Sequence, residues 1–385
     1  MNEHRAPAYL DAAAGSPWHP VAVTAWQAAL EDGWADPTKR YQAARRARLL
    51  LDASRESVAE VVGARPEEVT FCASGTEAAH LAVLGTLAGR ARSGDIFLHS
   101  AIEHSAVLQA ALWHADAGGT AAASPVDGGG RVDLDAFAEL VGRPRVAAAA
   151  VMSVNHEVGT RQPLDEVGAV CRDAGVPLVV DAAQSLGRET VPDGYAVLAA
   201  SAHKWGGPVG VGVLVVRTGT RWSPYGPTDE RERRRHAGVA DLPAIVAAAA
   251  ALRAAHAERN EVSGRLRQLT DRLIVDVPAA VPDVVVHGDL AHRAAHIVSF
   301  SFLFVAGEAL QQELDSHGFA VSTGSSCSAE RVGPSHVLAA MGVLTQGNVR
   351  ISLHRDSTEG DIDRLLATLP EVVARLRRDA GAESL

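Results

Sequence analysis

The stretch SAHKWGGPVG, residues 201–210, sets His203 and Lys204 side by side between two apolar runs, YAVLAA before it and VGVGVLVVR after it. Both runs read as buried strands, which puts Lys204 in a tight turn between two core elements. An amine there is costly unless it is paired, neutralised or used covalently. Its chemistry depends on what else the chain can bring to it.

Three other groups are candidates. Asp181 closes the apolar run VVDAAQSLG, with Gln184 three residues on. Alone, this carboxylate reads as a strand-end cap or the partner of an arginine. Beside a ligand it can keep a ring nitrogen protonated, and Gln184 can donate to the same ligand. In ASGTEA, Ser74, Gly75 and Thr76 open a helix, where unpaired backbone amides and the helix dipole favour a phosphate. Ser201 and His203 can add two side-chain donors there. His104, in AIEHSAV, is an ordinary histidine by itself but also a ring able to stack on a planar cofactor. An amine, a phosphate seat, a ring-nitrogen carboxylate and a stacking histidine together suit pyridoxal phosphate, held as a Schiff base on Lys204.

The elements that position these residues follow from the apolar pattern. Residues 15 to about 255 alternate short apolar runs with helical periods, which predicts a largely parallel sheet covered on both faces. Ligands of such sheets bind beyond the carboxyl ends of the strands. Thr76, His104, Asn155, Asp181, Gln184, His203 and Lys204 are expected at six such ends. The alanine-rich run 244–257 reads as a long helix leaving this domain. After it comes a different rhythm: a helix, the strand HIVSFSFLF, the helix EALQQELDSHG, the strand NVRISLHR and a final helix. The expectation is an α/β chain with a large domain over residues 15–257 and a smaller α+β domain from residues 1–14 and 258–385.

Bulk composition removes other classes. A net charge of −10 argues against intrinsic binding to nucleic acid or anionic lipid. No apolar run reaches the roughly 20 residues of a membrane span, and the start has no secretory pattern. Three cysteines, Cys72, Cys171 and Cys327, form no disulfide framework and no CxxC pair, so a reducing cytoplasm is expected. Neither a dinucleotide fingerprint nor a P-loop is present.

The motifs SGTEA, EHSAVL, VNHEVGTRQPL, VDAAQSLG, SAHKWGGPVGVG, GSSCSAERVGPSHVLAAMG and VRISLHR, in this order and spacing, resemble the NifS/IscS-type cysteine desulfurases of the class V aminotransferase group, over nearly the whole chain. The resemblance implies fold type I, pyridoxal phosphate, L-cysteine as substrate, a homodimer and a sulfur-acceptor protein. It makes Lys204, Cys327 and His104 catalytic. Gly75, Thr76, His104, Asp181, Gln184, Ser201, His203 and Lys204 would contact the cofactor. Asn155 and Arg350 would grip the substrate carboxylate, a task suited to the planar fork of arginine. Cys327, among small polar residues, would attack the substrate sulfur and carry it as a persulfide.

Departures from the family mark a specialised branch. Ala12 and Ala13 replace its paired asparagines, so a polar contact from that loop is expected to be missing. His236–Val239 replaces a segment that reaches the partner's phosphate, and the adjoining run RERRR, Arg231–Arg235, is either solvated, a replacement donor or a docking patch. Among the branches, the chain looks most like the desulfurase that supplies sulfur for DNA phosphorothioation. The alternatives are a general sulfur donor, a selenocysteine lyase, an aminotransferase, and a silent docking scaffold.

Overall fold

The computed structural model describes residues 7–191, 193–323 and 334–382. Twelve strands are present among them: β1 (Ala8–Tyr9), β2 (Val69–Cys72), β3 (Ile96–Ser100), β4 (Thr120–Ser124), β5 (Val146–Ala150), β6 (Leu178–Asp181), β7 (Val197–Ser201), β8 (Gly212–Val216), β9 (Val284–His287), β10 (Ile297–Phe302), β11 (Phe319–Ala320) and β12 (Asn348–Ser352). Strands β2 to β8 form one sheet in the order β2-β8-β7-β6-β5-β3-β4. All of its strands run parallel except β8, which pairs antiparallel with both neighbours. The fold is the α/β class expected.

Successive side chains of a strand point to opposite faces of the sheet. In β8, Val213 and Val215 join one apolar cluster and Leu214 and Val216 another on the opposite face. Helices α1 (Pro20–Asp32), α2 (Gln42–Val62), α3 (Gly75–Arg90), α4 (Ser105–Asp116), α5 (Leu134–Val141) and α6 (Leu164–Asp173) supply the covering layers. Residues of α3 and α4 cover the second face, and those of α2, α5 and α6 the first.

The helix expected to leave the sheet and the one expected to follow it are a single helix, α7 (Leu242–Ala280). Asp241 caps it, accepting from the Ala244 amide at 3.1 Å. No glycine or proline falls between Ala244 and Ala257 to stop it, and Gly264 is accommodated within the helix. Its first half packs Ala247, Ala251 and Leu252 against the large sheet. Its second half packs Leu266, Leu269, Leu273 and Val277 into a separate core. That core is built on the antiparallel sheet β12-β10-β9, with α8 (Gly307–Ser316), α9 (His336–Ala340) and α10 (Glu359–Asp379) following in the chain. β1 lies parallel to β11 and brings Ala8 and Leu10 into the same core, so the two chain ends are sewn together.

One buried ion pair holds the 231–235 run. Arg55 of α2 donates to both carboxylate oxygens of Glu232 at 2.8 and 2.9 Å, and the Phe71 amide adds a third bond at 3.1 Å. Both side chains are only 6% exposed. Glu232, Arg233 and Arg234 have φ of 44°, 54° and 62°, a left-handed turn that non-glycine residues adopt only when surroundings impose it. Replacing Arg55 by alanine leaves the carboxylate buried without its cation. We expect Arg55→Ala to lower unfolding stability by about 3–5 kcal/mol in urea titrations; a change below about 1 kcal/mol would show that the pair does not hold the turn.

Candidate active site

The carboxyl ends of five strands open on one cavity of about 230 Å³. The count is five and not six, because Asp181 and Gln184 share the end of β6. Gly75, Thr76, His104, Asp181, Gln184, Ser201, His203, Lys204 and Arg350 all line it. The turn after β7 is a single helical turn over Ala202–Lys204, followed by Gly206 at φ 86°. A side chain at Gly206 would be strained and would stand 3.1 Å from the His19 amide nitrogen. Trp205 donates to the Ala248 carbonyl at 3.0 Å and pins the turn to α7.

Lys204 Nζ donates to the carbonyls of Ala13 and Ala14, each at 2.7 Å. Gln184 Nε2 donates to the same Ala13 carbonyl at 2.8 Å. The expectation that alanines leave this loop without polar contacts is therefore corrected: its backbone supplies them. Asp181 Oδ1 accepts from the Ala183 amide at 2.9 Å, and among the described residues it has no lysine or arginine ion partner. Ser74 caps α3 by accepting from Glu77 N at 3.0 Å, leaving the amides of Gly75 and Thr76 directed out of the helix start. The backbone must pass close to Ser201 here, since a Cβ on Gly75 would fall 2.4 Å from the Ser201 Cβ. Ser201 Oγ and His203 Nδ1 lie 2.9 Å apart. Burial, with the Lys204 charge adding, brings the His203 pKa down to about 4.

His104 accepts from the Ala106 amide through Nδ1 at 3.1 Å, which leaves the proton of the neutral ring on Nε2. Burial lowers its pKa, and Asp181 opposes that shift. Its ring meets that of His156 edge to face at 5.1 Å.

Asn155, expected to grip the substrate carboxylate, is not among the residues that line the cavity. Its Oδ1 accepts from the amides of Glu157 and Val158, and its Nδ2 donates to the Ile102 carbonyl at 3.1 Å. Its Nδ2 also donates to the Met152 sulfur at 3.4 Å, and the turn presents the next residue, His156, to the cavity. His156 is the residue that sequence reasoning missed; the only signal was its place beside Asn155 in VNHEVG. Its Nδ1 is buried with no partner, and burial holds its pKa well below the usual range. Arg350 donates to the His156 carbonyl at 2.8 Å and to Asp11 at 2.6 Å, while its Nε is buried and unpartnered. Among the described residues, none of Arg231–Arg235 lines this chain's own cavity. Arg231 pairs with Asp229 and Asp36, and Arg235 donates to the Glu67 and Glu68 carbonyls. Cys327 lies outside the described residues.

These donors fit pyridoxal phosphate: open amides for its phosphate, Asp181 for its ring nitrogen, Lys204 for its aldehyde, and orphaned Arg350 Nε and His156 Nδ1 for what binds beside it. The aminotransferase class-V family model matches residues 8–365. The chain belongs to that family. It is 38% identical to an IscS-like cysteine desulfurase of Mycobacterium tuberculosis, covering 97% of this chain and 98% of that one. The solved structure of a NifS-like protein superposes with a TM-score of 0.89 at 27% identity, over 96% of this chain and all of that one. DndA from Streptomyces lividans superposes at 0.76 with 28% identity, over 89% and 99%. The chain is a cysteine desulfurase of this family, and its cofactor is pyridoxal phosphate.

Beneath the cavity lies a fully buried acid. Glu103 accepts from Ser100 Oγ and the Met152 amide at 2.8 Å, its Oε2 has no partner, and burial raises its pKa to about 8. A carboxyl whose pKa is raised on folding is stabilising below its unfolded value of 4.5, and that contribution is lost as pH rises through about 8. Relative to Glu103→Gln, the wild type should therefore lose unfolding stability between about pH 5 and 8; parallel pH profiles would refute a neutral Glu103. Separately, Gly75→Ala should cut retention of the cofactor during gel filtration by at least tenfold, an estimate that takes roughly 1.4 kcal/mol per decade.

Proposed function

We propose that the chain converts L-cysteine to L-alanine, takes the sulfur onto Cys327 as a persulfide, and passes it to an acceptor protein. The observation that carries this reading is the single cavity gathering Lys204, Asp181, His104 and Arg350 in a chain so similar to named desulfurases. Bound pyridoxal phosphate supplies the electron sink that makes an amino-acid Cα–H acidic. Arg350 holds the substrate carboxylate and Lys204 takes the Cα proton. His104, with its proton on Nε2, stands ready to move a proton at the substrate. The Cys327 thiolate then forms an S–S bond to the substrate sulfur as the Cβ–S bond breaks. The electron pair stays with the carbon fragment, which is protonated to alanine.

The reading includes a large domain over 15–257, a small one from 1–14 and 258–385 that carries Cys327, and a cytoplasmic homodimer. Exposed Trp34, Leu49, Trp113 and Val239 offer apolar surface for the dimer. For the use of the sulfur we favour DNA phosphorothioation, which the sequence resemblance suggests and the likeness to DndA supports. The IscS-like relative supports the alternative, a general sulfur donor.

Intact-protein mass spectrometry with peptide mapping tests the chemistry. After L-cysteine is added, the wild type should gain sulfur on Cys327 and release alanine. Cys327→Ala should keep the cofactor absorbance and lose both products, and Lys204→Ala should lose the absorbance as well. A cofactor-loaded wild type that never gains sulfur on Cys327 would favour an aminotransferase.

A further inference from the structure

Gln184 lines the cofactor cavity and is buried. A carboxamide can turn over and exchange its donor for its acceptor, so a buried one needs neighbours that fix it. One neighbour is the Ala13 carbonyl, which can only accept and takes Gln184 Nε2 at 2.8 Å. The other is His296, whose Nε2 lies 3.3 Å from Gln184 Oε1. His296 is itself buried, stands just before β10, and is not among the residues that line the cavity. The small core pins its backbone: its carbonyl accepts from the Leu353 amide at 2.8 Å, and that of Ala295 accepts from Thr270 Oγ1 at 3.1 Å.

The His296 ring carries one proton. Burial, with the charges of Arg188, Arg161, Arg350 and Arg267 adding to it, holds its pKa well below the usual range. Gln184 Oε1 can only accept, so that proton sits on the Nε2 that faces it. Among the described residues, Ala13 is the one hydrogen-bond partner of Gln184 Nε2, which leaves its second N–H for a ligand.

We propose that His296 is a positioning residue for the cofactor: by donating to Gln184 Oε1 it locks the amide, so that the second Nε2–H is presented to the phenolic oxygen of pyridoxal phosphate. Gln184 Nε2 and Lys204 Nζ share the Ala13 carbonyl, so the two nitrogens are neighbours. Lys204 takes the cofactor's aldehyde, and the phenolic oxygen is the ring's acceptor beside that carbon. An N–H on this oxygen draws its negative charge away from the Schiff-base nitrogen of Lys204. It therefore lowers the pH at which that nitrogen gives up its proton. A residue of the small core thus tunes a cofactor held by the large sheet. The inference rests on the cofactor and not on the fate of the sulfur.

The test follows the visible absorption of the cofactor-loaded enzyme against pH, without substrate. His296→Leu removes the donor, and the midpoint of the spectral change should rise by about 0.5–1 pH unit. His296→Gln can still donate and should stay within about 0.2 unit of the wild type. Gln184→Ala should show the same rise as His296→Leu, and the double variant should rise no further, because His296 acts through Gln184. An unchanged midpoint in His296→Leu or Gln184→Ala, an equal rise in His296→Gln, or additive shifts in the double variant would each overturn the proposal. Should His296→Leu fail to fold, the wild type decides. Nitrogen-15 NMR of the histidine-labelled holoenzyme, with the signal assigned by its loss in His296→Gln, should show the His296 proton on Nε2; a proton on Nδ1 overturns the proposal.

Discussion

The bond from Lys204 Nζ to the Ala13 and Ala14 carbonyls is the constraint around which the molecule is organised. It holds the Lys204 amine at the carboxyl end of β7, between two buried strands. It also requires the amino-terminal segment to return across the sheet to meet that amine. The segment does so because β1 pairs with β11 and because Ala12 and Ala13 bond to Ser352 of β12. Two ends of the chain that are far apart in sequence thus form one wall of the cavity. Ala12 and Ala13 are buried there and Ala14 is exposed, and the backbone carbonyls of Ala13 and Ala14 meet the amine.

A second layer of control lies under the cavity. Glu103 and Glu157 are both buried carboxyls, raised by burial to about 8 and about 7. Each is linked to the start of α9: His336 donates to the Glu103 carbonyl at 2.9 Å, and Ser335 donates to Glu157 at 2.5 Å. Burial favours the uncharged form of both acids, which lets them add shape and hydrogen bonds with less charge near Asp181. The cavity above is lined by Asp181 and Arg350.

Lys204 lines two cavities that differ in a way that follows from their walls. The cofactor cavity is built from strand ends and open amides, the natural seat of a phosphate. A second cleft is built from α7, the loop after β6 and the segment after β12, and it mixes arginines with Glu189 and Glu258 over apolar surface. The long α7 joins the two cores, because its first half is pinned by Trp205 and its second half belongs to the other core.

Much of this was legible from local pattern. Short continuous apolar runs made the strands predictable, since strands covered on both faces are buried throughout. Lys204, Asp181, Gly75, His104 and Gln184 could be read as site residues because strand ends in such sheets converge. The tertiary structure alone decided the rest. Whether Asn155 or His156 faces the cavity depends on a turn that consumes one amide, a choice invisible in neighbouring letters. The role of Ala13 and Ala14 depends on backbone carbonyls, which every residue carries and no side chain announces. The fate of Arg231–Arg235 was set by the buried charge pair between Arg55 and Glu232, residues 177 positions apart. Local spacing determines which elements form and which groups they end on. Long-range pairing determines which of those groups are consumed by the fold and which remain for chemistry.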